Sequence, residues 1–332
     1  MSFTFIDLFA GIGGFHQAAK FFNGKCVFAS EIDKYAQQAY FQNYHIRPEG
    51  DITQIPEQEI PKHDFLFAGF PCQPFSIIGQ QKGFSDTRGT LFFDIARILK
   101  AQRPPYFILE NVKQLSTHNG GKTLQTILRV LNELGYKTWH KVLNALNFGL
   151  PQKRERTIIV GTLKDQLDFK WPEKQALMKP LSQIIEPEVD KKFYASVEIQ
   201  NKRKQKHKSQ FDLAIWHENK SGNVTSYPYS CALRAGASYN YLLVNGERRL
   251  TPRETLRLQG FSENFKIVCS DYQTKKQTGN AVPVPMIQAV LEEVLNAKAE
   301  IERLQTEQNS AIIPSGVLPQ ANNRSNMQEI SL

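Results

Sequence analysis

The chain reads as an α/β protein: a doubly wound, mostly parallel sheet, with a second, smaller and irregular domain placed before the last helices. Three observations predict this. Short apolar runs alternate with helical stretches through the first half, the alternation fails after Trp171, and helical periodicity returns near Leu250. With 332 residues, 41% of them apolar, the chain can bury one large core and a smaller one.

Residues 3 to 9 (FTFIDLF) form the first expected strand, and AGIGGF followed by HQAAKFF is a glycine turn opening a helix. A second strand, from Lys25 to Ser30, ends at Glu31, and DKYAQQAYFQNY has helical spacing. FLFAGF, YFILEN and RTIIVGT supply further buried strands. From 172 to 245 come scattered prolines, a lysine-rich run (NKRKQKHKSQ) and short aromatic or β-branched pieces, which predict the small domain. At LTPRETLRLQGF, Thr251 can cap a helix with Pro252 in its first turn and Glu254 three residues on. The large domain thus spans 1–171 and resumes over 246–307. Ile287, Leu291, Val294, Leu295, Ile301 and Leu304 share one face of a closing helix, and the aperiodic residues 308–332 predict a disordered tail.

Forty-one Lys and Arg against 32 Asp and Glu leave a net charge of +9, which favours a polyanionic partner without naming it. Four separated cysteines with no CxxC pair suggest neither a metal site nor disulfides, and a reducing cytoplasm is expected. No stretch of 18 uninterrupted apolar residues predicts a membrane span.

Two features carry chemistry. Gly11, Gly13 and Gly14 sit where a strand turns into a helix, letting backbone N–H groups approach a ligand, and Glu31 ends the next strand, where a carboxylate can hold ribose hydroxyls. A nicotinamide dinucleotide would want a small residue at position 16, where His16 stands, so an adenosine cofactor without a pyrophosphate fits better. Second, Gly69-Phe70-Pro71-Cys72-Gln73-Pro74-Phe75-Ser76 puts a thiol at a strand's carboxyl end. Glu110 ends another strand, and Arg154 and Arg156 alternate ahead of a third, so both point one way. Taken singly, a buried inert thiol, a strand-end carboxylate and a solvated charge run are the better readings; their joint appearance at the edge expected to be functional reverses this.

Together, in order, FIDLFAGIGGF, GDI at 50–52, GFPCQPFS, DTRGTLFF, ENV at 110–112, QKRER at 152–156, RLTPRETLRLQGF and QTGNAVP resemble the DNA (cytosine-5)-methyltransferases, above all those of bacterial restriction-modification systems. The resemblance runs from about Phe3 to Val294 outside the variable region. It implies a Rossmann-like S-adenosylmethionine-dependent methyltransferase fold and attack by the Cys72 thiol on carbon 6 of a flipped-out cytosine. Glu110 would then hold and protonate N3, Arg154 contact the base carbonyl, and Arg156 orient the site. Phe9, Gly11, Gly13, Glu31, Ile32, Asp51, Ile52, Leu91, Asn280 and Val282 would surround S-adenosylmethionine, with no metal. Residues 73–91 would be a closing loop hinged at Gly79, Gly83 and Gly89, and 172–245 the target-recognition domain. Expected DNA contacts are Ser76, Arg88, Lys202, Arg203, Lys204 and Arg234.

Relatives carry Thr before an aliphatic residue late in the recognition domain, whereas this chain has Ala232-Leu233, so a hydroxyl contact is in doubt. The expected partner is double-stranded DNA, acted on by a monomer in the bacterial cytoplasm, with a cognate restriction endonuclease as functional partner. An RNA (tRNA) cytosine-5 methyltransferase and a catalytically silent DNA-binding regulator of the same fold are the alternatives. A thiol hydrolase would need a histidine beside Cys72, and the strand-end motifs contain none.

Overall fold

A computed structural model describes residues 2–71, 91–164, 167–173 and 177–311, with side chains to 307. The expected Cys72, Ser76 and Arg88, the hinge glycines and the tail beyond 311 lie outside the described residues.

The main sheet is built from β1 (Phe3–Leu8), β2 (Gly24–Ser30), β3 (Phe65–Gly69), β4 (Tyr106–Val112), β5 (Lys137–Asn144) and, beyond the two-residue β6 (Gln152–Lys153), β7 (Glu155–Thr162). Its order is β2-β1-β3-β4-β7-β5. β2, β1, β3 and β4 run parallel, and β7 pairs antiparallel with both β4 and β5. Among the described residues β7 is therefore the one reversed strand of a mostly parallel sheet.

Helices α1 (Gly14–Phe21), α2 (Lys34–Tyr44), α3 (Leu91–Gln102) and α4 (Lys122–Glu133) cover the two faces. Strand side chains alternate between them. Phe5, Phe65, Phe67, Ile108, Ile158 and Val160 pack on one side with α1, α2 and the closing helix. Ile6, Leu66, Ala68, Phe107, Leu109 and Ile159 pack on the other with α3 and α4.

The region read as irregular has regular elements. α5 (Val197–Lys206) precedes β8 (Ile215–Glu218), β9 (Val224–Tyr227), the short β10 (Ser230–Cys231) and β11 (Leu242–Val244), and the order β11-β8-β9 makes a second sheet. Leu181, Ile184, Ile215, Leu242 and Val244 form its own apolar cluster, closed by Leu258 from α6 (Pro252–Gln259). The lysine-rich run is thus largely helical, because Ser196 caps α5 through Ile199 N.

The capping box at Thr251 and Glu254 is formed as its spacing requires. After α7 (Asp271–Asn280), α8 (Val284–Ala311) closes the chain. It outruns the expected boundary at 307, and Leu304, expected on the buried face, is 45% exposed because α8 has by then left the sheet.

Candidate active site

Parallel strands deliver their carboxyl ends to one edge of a sheet, and the main cavity opens at that edge. It encloses about 690 Å³ between the β1–α1 turn, the ends of β2, β3 and β4, the start of β7, and the α7–α8 junction.

The glycine turn forms the first wall. Gly11 adopts φ +55°, and a Cβ built on it meets nothing within 4 Å, so bare backbone faces the cavity. Its N–H donates to Glu31 Oε2 at 2.7 Å, while Asp33 N–H donates to Glu31 Oε1 at 2.8 Å. Burial nonetheless raises the Glu31 pKa, and these N–H groups offset only part of the cost. Beside it Ile32 is 70% exposed, a bare apolar face at the cavity rim. Asp33 caps α2 and pairs with Lys276 of α7 at 2.6 Å.

Of the residues expected around a cofactor, Phe9, Gly11, Glu31, Ile32, Asp51, Ile52, Leu91, Asn280 and Val282 line this cavity. Gly13 is the exception. Its φ of +80° turns it toward the core, where a Cβ would strike Tyr44 at 2.3 Å, so the turn itself requires glycine there and Gly13 does not line the cavity.

The second wall carries the acid and the arginines. β3 and β4 pair with Gly69 opposite Glu110, so the strand leading to Cys72 ends beside this carboxyl. Glu110 faces Ile158 across β4–β7 and Val112 faces Arg156, which sets Glu110 and Arg156 diagonally on one face. Arg156 Nε stands 2.7 Å from Glu110 Oε1. That contact is ionic, without the direction of a hydrogen bond, and Oε1 has no hydrogen-bond donor among the described residues. Asn111, which the sequence reading passed over, donates from Nδ2 to the carbonyl of Phe70 at 2.9 Å and so ties the end of β4 to the segment entering the cysteine loop.

Arg156, expected to orient the site, meets Glu110, whereas Arg154, expected at the base carbonyl, lines the cavity but is only 1% exposed, held within the wall. The Arg154 guanidinium donates to the carbonyls of Leu233 (2.8 Å), Gly279 (3.0 Å) and Ala281 (2.8 Å). Burial first, and the Arg156 charge second, depress its pKa to about 9, so it is still a cation at neutral pH.

Arg234 is exposed on the same cavity rim, its guanidinium 4.9 Å from the Tyr241 ring centre. Arg203, expected on DNA, is instead 2% exposed and bonded to Glu218 Oε2 at 2.9 Å and to the carbonyl of Asn240. It faces inward because Glu218 of β8 and the Asn240 carbonyl hold it there. Lys204 pairs with Glu247 at 2.6 Å, and Lys202 is exposed.

Residues 3–296 match the C-5 cytosine-specific DNA methylase family. The chain belongs to that family. It is 52% identical to the Type II methyltransferase M.HaeII of Haemophilus aegyptius over 88% of this chain and 92% of that one. It is equally similar, at 52%, to M.NgoBI of Neisseria gonorrhoeae, over 86% and 90%. The crystal structure of the S. pombe Dnmt2 methyltransferase superposes with a TM-score of 0.68 at 21% identity, covering 89% of this chain and 98% of that one, which supports the fold. This DNA methylase is therefore a cytosine-5 methyltransferase acting on DNA, and the RNA and silent-regulator readings lose to the family match. Among the described residues no helix is long and apolar enough to cross a membrane.

Proposed function

We propose that the chain methylates carbon 5 of one cytosine in a short duplex sequence as the modification arm of a restriction-modification system, with Cys72 as nucleophile and S-adenosylmethionine as methyl donor. The observation that carries the reading is the Glu110–Arg156 pair on the wall of a cavity whose other side is the glycine turn and Glu31. That cavity suits the donor. Gly11 leaves room for it, the Glu31 carboxylate is placed for ribose hydroxyls, and Ile32 offers an apolar face to a purine. When bound there, S-adenosylmethionine supplies an electrophilic methyl group to carbon 5.

The protein's own groups do the rest. A stacked cytosine hides carbons 5 and 6, so the base must swing out, at a cost of a few kcal/mol. Glu110 then holds N3 and shares a proton with it, and Arg156 supplies positive charge at the base carbonyl. With N3 protonated, the Cys72 thiolate adds to carbon 6 and the ring's electron pair becomes available at carbon 5. Once carbon 5 carries the methyl group, its proton passes to solvent, the electron pair of that carbon–hydrogen bond re-forms the 5,6 double bond, the carbon–sulfur bond breaks to return the thiolate, and N3 gives its shared proton back to Glu110. Arg234, on the rim, is assigned to the DNA backbone. The working unit is a monomer in the bacterial cytoplasm, and a cognate restriction endonuclease is its functional partner.

Labelled methyl transfer to duplex DNA tests this. Cys72→Ala is expected to abolish transfer while keeping DNA binding, and Glu110→Gln to slow it by orders of magnitude. Turnover by Cys72→Ala at the normal rate would refute the covalent scheme. Bisulfite sequencing of DNA from cells expressing the protein would give the site.

A further inference from the structure

One stretch of chain grips two distant segments at once. Leu233 is held by both backbone groups: its N–H donates to Gln152 Oε1 at 3.0 Å, and its carbonyl accepts from Arg154 Nη1 at 2.8 Å. The other end of the same guanidinium, Nη2, holds the carbonyls of Gly279 and Ala281, on either side of cavity-lining Asn280. The two segments also touch directly. A Cβ added at Gly279 would fall 2.3 Å from Ala235 N and 2.7 Å from the carbonyl carbon of Arg234, so backbone lies on backbone there. β10 adds a short ladder, pairing Ser230 with Gln152 and Cys231 with Lys153.

Among the described residues Arg154 makes no ion pair; its hydrogen-bond acceptors are main-chain carbonyls. A guanidinium suits this task because its donors are fixed in a planar fork that can span separated acceptors, which an ammonium, a point charge on a flexible stem, cannot do as well. We propose that Arg154 is a positioning residue that locks the 233–235 backbone, at the DNA-facing rim, to the 279–281 backbone, at the cofactor wall, so that filling the cofactor cavity and holding DNA are energetically coupled through it. The inference rests on reading that cavity as the S-adenosylmethionine site. Such coupling is reciprocal and of the order of 5- to 150-fold where two sites share one element.

The test measures duplex DNA affinity by fluorescence anisotropy, with and without saturating S-adenosylhomocysteine, for the full chain and for Arg154→Lys and Arg154→Met. For the wild type the cofactor product is expected to tighten DNA binding about tenfold. The ratio should fall to within about twofold of one in Arg154→Met, with Arg154→Lys in between. A cooperatively melting Arg154→Met with the wild-type ratio would overturn the proposal, as would a wild-type ratio of one. If Arg154→Met does not fold, Gly279→Ala decides, since it pries the same backbones apart and leaves the guanidinium in place: a ratio near one supports the lock, and the wild-type ratio sinks it. Calorimetry with S-adenosylhomocysteine alone separates the two readings. No binding to the wild type would defeat the cofactor assignment, whereas tight binding without coupling would defeat only the role of Arg154.

Discussion

At the scale of single residues, the ground beneath the glycine turn is polar and buried. Asp7 is fully buried, and its pKa is raised well above the ordinary carboxylate value by that burial, with one oxygen lacking a partner among the described residues. His16 Nδ1 lies 2.8 Å from the Tyr40 hydroxyl, its ring stacks on Tyr44 at 3.9 Å, and burial, then the Lys20 charge, pushes its pKa down from 6.5 to about 3. As pH falls from 6.5 toward 3, the unfolded chain takes up a proton at position 16 that the native state refuses. Stability must therefore fall in that window, by up to about 1.4 kcal/mol per pH unit from this group. Asp7 and Glu31, with raised values, act in the opposite sense, so the effect is read as a difference. Urea unfolding of wild type and His16→Gln across that window should converge in stability as pH drops; a constant gap would contradict the buried neutral imidazole. From sequence, His16 was visible only as a residue too large for a dinucleotide turn. Its partners Tyr40 and Tyr44 come from α2, which no local pattern reveals.

Among the elements, α6 is joined by charge to the segment that leads into it. Glu254, fully buried, accepts from both ends of the Arg248 guanidinium at 2.7 and 3.0 Å, and from the N–H groups of Thr251 and Glu186 at 2.8 Å each. Removing one partner would strand a charge in the interior. Arg248→Met is thus expected to cost about 3–5 kcal/mol in a denaturant melt, and a loss below 1 kcal/mol would mean that the remaining donors suffice. The capping box itself was legible because its spacing is local. The strands up to β4 and β7 were legible too, since a strand buried on both faces is an unbroken apolar run. β5 was not: its residues are largely polar and half exposed at the sheet edge, and they leave no such trace. The small β8–β9–β11 sheet was missed for a similar reason, its strands being only three or four residues long.

For the whole molecule, the net charge of +9 pointed to a polyanion, but it could not say which cations face outward. The run at 202–204 looked uniform in sequence, yet only packing decides that Arg203 turns inward and Lys204 pairs with Glu247. Arg234, alone in its stretch, is an exposed cation at the cavity rim and, among the described residues, makes no ion pair. Plots of log affinity for duplex DNA against log salt should accordingly lose about 0.9 in slope in Arg234→Ala, as expected for one phosphate contact. Arg203→Met should keep the wild-type slope while lowering the melting temperature; an altered slope there would return Arg203 to the interface. Glu110 and Arg156 were legible as chemistry, whereas the division of labour between Arg154 and Arg156 depends on which segments fold against the start of β7. The bonds of Arg154 carry a last consequence. A guanidinium met by a carboxylate looks, from a distance, like a small dipole, but one solvated by main-chain oxygens remains a monopole. No carboxylate touches it among the described residues, and Glu110 offsets its unit of positive charge only from a distance, so on the proposed reading it would draw an approaching phosphate chain toward the cleft without touching it.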